Sequence, residues 1–139
     1  MPVADPSLAL QKALVARLKA DAAVNAIVAG RIYDGVPLNA PKPYISFGPF
    51  DVLPDLGDCL DGAQAVIQLD AWSLQNGSTV QVKQLGAAIA AALDEATFAL
   101  DAPHVLVDMT VEPIRYLKEP DGLTAHGVLT VNAWCEPRT

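Results

Sequence analysis

The sequence predicts an α+β fold, an antiparallel-rich β-sheet with two main α-helices packed on one face. Three observations predict it. Leucines recur at helical spacing near the start, at Leu10, Leu14 and Leu18. Two later stretches, 63–73 and 124–136, alternate apolar and polar residues with the period of a half-buried strand. The elements run helix, strand, strand, helix, strand, strand, and the links between strands are hairpin-type turns, not the long crossovers of a parallel sheet. At 139 residues the chain fits one domain, 1–139, able to bury roughly two-thirds of its unfolded surface.

The first helix opens at Asp5-Pro6. The Asp5 carboxylate can accept from free amides of the first turn, and Pro6 has no amide to leave unpaired. Val15 and Ala22 widen the leucine stripe, opposite Lys12 and Lys19. A shorter helix is expected from Ala22 to Ala29, capped by Asp21 and ended by Gly30 in the left-handed conformation. "GRIYDGVPLNAPKPYISFG" follows, from Gly30 to Gly48. Arg31 to Tyr33 reads as a brief extended piece, and Pro37 and Pro43 hold the residues before them out of the helical region. The segment ends in a strand from Tyr44 to about Phe50, with Ile45 and Phe47 on one side and Tyr44 and Ser46 on the other.

Asp51 to Gly62 reads as a turn-rich loop with four aspartates. In the next strand Ala65, Ile67, Leu69 and Ala71 share one face, and Gln64, Val66, Gln68, Asp70 and Trp72 the other. Asn76-Gly77 turns the chain, and Ser78 with Gln81 has the spacing of a capping box. The second main helix buries Val82, Leu85, Ile89, Ala92 and Leu93, while Gly86 and an alanine-rich flank permit close approach to the sheet or to another chain. Asp94 and Glu95 end it, since negative charge is disfavoured at a helix C-terminus. Thr97 to Leu100 reads as a short edge strand. A longer strand runs from His104 to about Leu117, with Val105, Val107, Met109 and Val111 inward and an edge or bulge at Pro113. Pro120-Asp121-Gly122 supplies a hairpin turn. The last strand, 124–136, turns Leu129, Val131, Ala133 and Cys135 inward and Thr130, Asn132 and Trp134 outward.

Composition excludes several classes of function. The longest apolar run, Leu85 to Leu93, is half the ~20 residues of a membrane span. The start "MPVADPS" lacks the basic and apolar regions of a secretory signal, so a cytosolic setting is expected. Nine Lys and Arg stand against 16 Asp and Glu, a net charge of −7, and the cations are scattered; tight nucleic-acid binding needs the opposite balance. Cys59 and Cys135 lack metal or redox spacing and are read as a buried hydrophobe and an incidental thiol.

Residue chemistry offers little for catalysis. Asp51, Asp55, Asp58 and Asp61 come at intervals of three or four, whereas a calcium loop places its ligands on alternate residues. His104 and His126 can be imagined as a cross-strand acid–base or metal pair, or as two ordinary strand histidines. No nucleophile elbow, zinc-helix motif, phosphate loop or dinucleotide fingerprint occurs. No enzymatic activity, cofactor or metal is therefore expected. The polar sheet face bearing Trp72 and Trp134 is either plain solvated sheet or a subunit interface, where tryptophan is enriched.

Taken together, "GRIYDGVP", "PYISFG", "DCLDGA", "VIQLDAWS", "AAIAAAL" and "YLKEPDGLTAHGVLTVNAWCEP" resemble the tail completion or tail terminator family of long-tailed phages and phage-like gene transfer agents. The resemblance spans about Leu8 to Pro137. It implies a structural virion subunit, assembled in the host cytoplasm, that forms a hexameric ring at the head-proximal end of the tail. Such a ring stops the tail tube, meets the stopper protein of the head connector and lets DNA pass without specific binding. It carries over no active site. Under this reading Tyr33, Asp34, Tyr44, Trp72 and Trp134 are candidate interface residues. Asp51, Asp55, Asp58, Asp61, Lys118, Glu119 and Asp121 are candidates for lumen-facing or partner-facing loops. A connector stopper, a minor tail subunit, and a small cytosolic enzyme or ligand-binding domain are the alternatives.

Overall fold

The fold is seen in a computed structural model that describes residues 5–55 and 62–137. Along the chain come α1 (Ser7–Ala20), α2 (Ala22–Val28), β1 (Ile32–Tyr33), β2 (Tyr44–Asp55), β3 (Gly62–Leu74), α3 (Val80–Leu93), β4 (His104–Lys118) and β5 (Thr124–Pro137). The strands form one sheet in the order β1-β2-β3-β5-β4; only β1 and β2 run parallel. This is the α+β architecture expected, with a sheet-dominated core.

Local chemistry accounts for the helices. Asp5 Oδ1 accepts from the Ser7 amide at 2.9 Å, as its place before the first turn predicts. The Asp21 carboxylate accepts from the Val24 amide at 2.9 Å and starts α2. Asn25 then ties the two helices together: its Nδ2 lies 2.8–2.9 Å from the carbonyls of Leu18, Lys19 and Asp21, and its Oδ1 accepts from the Gly30 amide. These bonds satisfy carbonyls that the end of α1 would otherwise leave unpaired. Arg17 does the same for α3, donating from Nε to the Ala92 carbonyl at 3.0 Å.

All three helices bury apolar residues against one face of the sheet. Leu10, Leu14 and Leu18 of α1 and Val82, Leu85, Ile89 and Leu93 of α3 are fully buried. So are Ala65, Ile67, Leu69 and Ala71 of β3, and Leu129 and Val131 of β5. Each large aliphatic side chain so placed stabilises the fold by roughly 1.5–3 kcal/mol. The Tyr116 ring from β4 lies against Gly86 of α3 and Gly127 of β5, so the glycine in α3 serves close approach to the sheet.

Several expectations are corrected. β2 runs on to Asp55, because a bulge between Phe47 and Phe50 restores its pairing with β3; the aspartate-bearing stretch is partly strand. Ser78 and Gln81 form no capping box: α3 starts after Thr79 without a side-chain cap, and Ser78 Oγ accepts only from the exposed Val80 amide. Residues 97–100 are not a strand. Val107 is 45% exposed, because a bulge between Leu106 and Asp108 shifts the alternation and turns Leu106 towards the core instead. Ala29 shares the left-handed conformation with Gly30. Pro113, by contrast, stands where expected, at a second bulge in the edge strand β4.

Candidate functional site

The polar face of the sheet, turned away from the helices, is the part of the molecule that the core does not explain. It has two regions.

The first is a row of rings crossing four strands. Tyr33 meets Tyr44 edge-on at 5.7 Å between ring centroids, Tyr44 meets Trp72 at 6.4 Å, and Trp72 stacks on His126 at 3.8 Å, 11° from parallel. Register places them so: Tyr44 lies opposite Trp72, Trp72 opposite His126, and Tyr33 beside Ser46. Trp72 Nε1 donates to Ser46 Oγ at 2.9 Å. Burial, followed by the neighbouring Tyr33, raises the pKa of the Tyr44 phenol above its ordinary value.

His126 sits between two carboxylates. Its Nε2 is 2.7 Å from Asp70 Oδ1 and its Nδ1 is 2.8 Å from Glu119 Oε1. Asp70 also accepts from Gln68 Nε2 at 2.9 Å, and it lies so close over Gly48 that a Cβ there would come 2.9 Å from Oδ2. Asp70 is only 7% exposed, and these hydrogen bonds satisfy its buried carboxylate. The imidazole therefore pins the β4–β5 hairpin to the middle of the sheet. With both ring nitrogens engaged, the cluster has the geometry of a clamp.

The hairpin is fixed locally as well. The Asp121 carboxylate accepts from the amides of Leu123 and Thr124 and from the Thr124 hydroxyl, each at 2.8 Å. These bonds, the Thr124 amide first, hold its pKa below the ordinary aspartate value.

The second region is an open groove of about 380 Å³ over β3, β5 and β4, lined by Gln64, Asp108, Thr110, Glu112, Asn132 and Trp134. Trp134 lies flat on Gly62, where any Cβ would collide with the ring, and its Nε1 donates to Glu136 Oε1 at 3.3 Å. Gln64 Nε2 donates to Asn132 Oδ1 at 3.4 Å, and Asn132 Nδ2 to the Glu112 carbonyl at 3.1 Å.

Sequence candidates are thus distributed unevenly. Tyr33, Tyr44 and Trp72 come together in the ring row, and Trp134 stands apart beside the groove. Both tryptophans are half-buried, each committed to contacts within its own chain. Asp34 and Asp51 are exposed, the latter opposite Val66 on the polar face. Asp55 ends β2, and Asp58 and Asp61, like Cys59, lie outside the described residues. Lys118 is exposed at the end of β4; Glu119 is taken up by His126, and Asp121 by its own turn. His104 pairs opposite Pro137 and His126 opposite Leu117, at different ends of the β4–β5 ladder, so the two histidines do not meet. Cys135 is buried, and its thiol pKa is pushed up to about 11 by desolvation. Among the described residues no cluster of three or more His, Cys, Asp or Glu has the arrangement of a metal site. No helix among them is long and apolar enough to cross a membrane. The His126 clamp escapes sequence reading because its members are 56 and 7 residues apart and only register joins them.

The family described as tail completion protein gp17 matches residues 12–136. Among solved structures, a chain in the virion of a native gene transfer agent particle matches at 26% identity and a TM-score of 0.85, covering 94% of this chain and 96% of that one. Among curated proteins none matches.

Proposed function

This chain belongs to the tail completion protein gp17 family, and from that premise we propose that it forms a ring, most simply of six copies, which ends the tail tube and joins it to the head connector. The coarser role is that of a tail structural protein of a phage or gene transfer agent. The observation that carries the finer reading is near-full-length similarity, in sequence and fold together, to the family and to a chain of an assembled particle.

The geometry suits a ring subunit. A wall through which DNA passes benefits from fixed surfaces, and the ring row, the His126 clamp and the Asp121 turn supply them on the sheet face and its hairpin. In this reading Tyr33, Asp34, Tyr44, Trp72 and Trp134 lie at or beside subunit contacts. Acidic residues at positions 51, 55, 58 and 61, with the Lys118–Asp121 hairpin, face the bore or the axial partners. With each copy at −7, carboxylates at the bore would repel the phosphate backbone over a Debye length of ~8 Å. DNA then slides without being held.

Deletion of the gene, followed by imaging of particles, tests the role. Heads and tails are expected to remain unjoined, with tubes of uncontrolled length. Joined particles with tails of normal length would overturn the terminator reading and favour a minor tail subunit.

A further inference from the structure

Charge is divided between the bodies of the helices and the polar face of the sheet. α1, α2 and α3 contain Lys12, Arg17, Lys19 and Lys83 and no Asp or Glu. Acids on that side lie at or beyond the helix ends: Asp5 accepts from the Ser7 amide, Asp21 caps α2, Asp94 accepts from the Val111 amide, Glu95 follows it, and Asp101 pairs with Lys12. The polar sheet face instead presents Asp51, Asp108, Glu112 and Glu136, with Arg115 and, over the Tyr44 ring, Lys42 as cations. For a chain with 16 acids and nine bases, helices whose bodies hold four cations and no acid run against composition. The fold needs amphipathic helices but places no demand on the sign of their exposed charges.

The groove concentrates the negative side. Asp108 and Glu112 are exposed there, and neither carboxylate has a hydrogen bond or ion pair among the described residues. On the positive side Lys12 is paired with Asp101 and Arg17 donates to the Ala92 carbonyl, which leaves Lys19 and Lys83 exposed and, among the described residues, without a partner. Exposed alanines neighbour both lysines, Ala16 and Ala20 beside Lys19 and Ala87 one turn from Lys83, so another surface can come close.

We infer that the Asp108–Glu112 groove of one copy receives Lys19 or Lys83 from the helix layer of the next copy. The inference rests on the ring reading above and says which two faces meet. Two different faces of one chain in contact make a head-to-tail interface, the type that closes into a ring. The groove's volume accommodates a lysine side chain, its carboxylates face the ammonium, and Gln64, Thr110 and Asn132 offer further oxygens.

Two charge-reversed chains test this by native mass spectrometry and light scattering, with the wild type as reference. Asp108→Lys with Glu112→Lys should assemble at least tenfold more weakly than wild type, and so should Lys19→Glu with Lys83→Glu. Mixed one to one, they should form rings in which the two alternate, because each supplies the face that the other lacks. Misfolded chains cannot produce that rescue. A milder chain, Asp108→Asn with Glu112→Gln, should dissociate at higher concentration than wild type and lose part of the salt sensitivity of the ring. Rings from either reversed chain alone, no rings from the mixture, or a neutralised chain that dissociates as wild type does would each overturn the inference. A wild-type chain that stays monomeric at every concentration would instead count against the ring.

Discussion

On the inner face of the sheet Ile67, Leu69, Leu129 and Val131 are sealed from solvent, while one residue away along the same strands Gln68, Asp70, Val128 and Thr130 stand on a face that no helix covers. The two faces share a backbone and a register but are held differently. Inner contacts are non-directional, so each side chain is worth roughly the apolar area it hides. Outer contacts are directional: His126 holds Asp70 and Glu119 through bonds of 2.7 and 2.8 Å, and losing it removes a partner from both carboxylates at once. The inner face supplies most of the apolar burial; on the outer face hydrogen bonds fix the shape of the surface.

Substitutions on either side sharpen that contrast. The largest effect is expected for Leu129→Ala on the inner face, about 2–5 kcal/mol lost from unfolding stability, read by chemical denaturation. A loss below about 1 kcal/mol would mean that the inner face is not the closely packed layer described. Next comes His126→Ala, which leaves Asp70 with Gln68 alone and frees the hairpin; about 1–3 kcal/mol is expected, with faster amide exchange in residues 119–124. Loss of stability without a change in hairpin exchange would show that the clamp does not restrain the hairpin.

The smallest effect concerns pH. The Asp121 carboxyl has a folded-state pKa below its ordinary value of 3.8, so its contribution is present above that value and is lost as pH falls through the folded one. Asp121→Asn should therefore be less stable than wild type at neutral pH, and the gap should narrow below about pH 4. A gap that stays constant into acid would place the effect in turn geometry and not in charge.

What the sequence could reveal follows the same division. Leucine spacing, the Asp21 cap, the period-two runs and the Pro120-Asp121-Gly122 turn were legible because each depends on neighbours within a few residues. The capping box at Ser78 failed because a matching spacing does not oblige the backbone to start its helix there; α3 begins at Val80 instead. Val107 faces outward because the strand bulges just there, where unbroken alternation would turn it inward. Of the candidate site, the outward parity of Tyr44, Trp72 and Trp134 is legible in sequence, while Asp70 reads only as a strand residue and His126 as a partner for His104 and not for Asp70 and Glu119.

By itself, then, the sequence determined which residues are apolar and at what period, where helices begin and strands turn back, how few cations the chain has, and which family it resembles. Tertiary structure alone decided that β2 continues past its bulge, that Gly86 receives the Tyr116 ring, and that an imidazole from β5 reaches carboxylates on β3 and on the hairpin. The reason is physical. Burial rewards any apolar side chain on the correct face, so a pattern suffices to foresee it. A hydrogen bond rewards only a partner within about 3 Å, and strand register, set by bulges and by contacts far apart in the chain, chooses that partner.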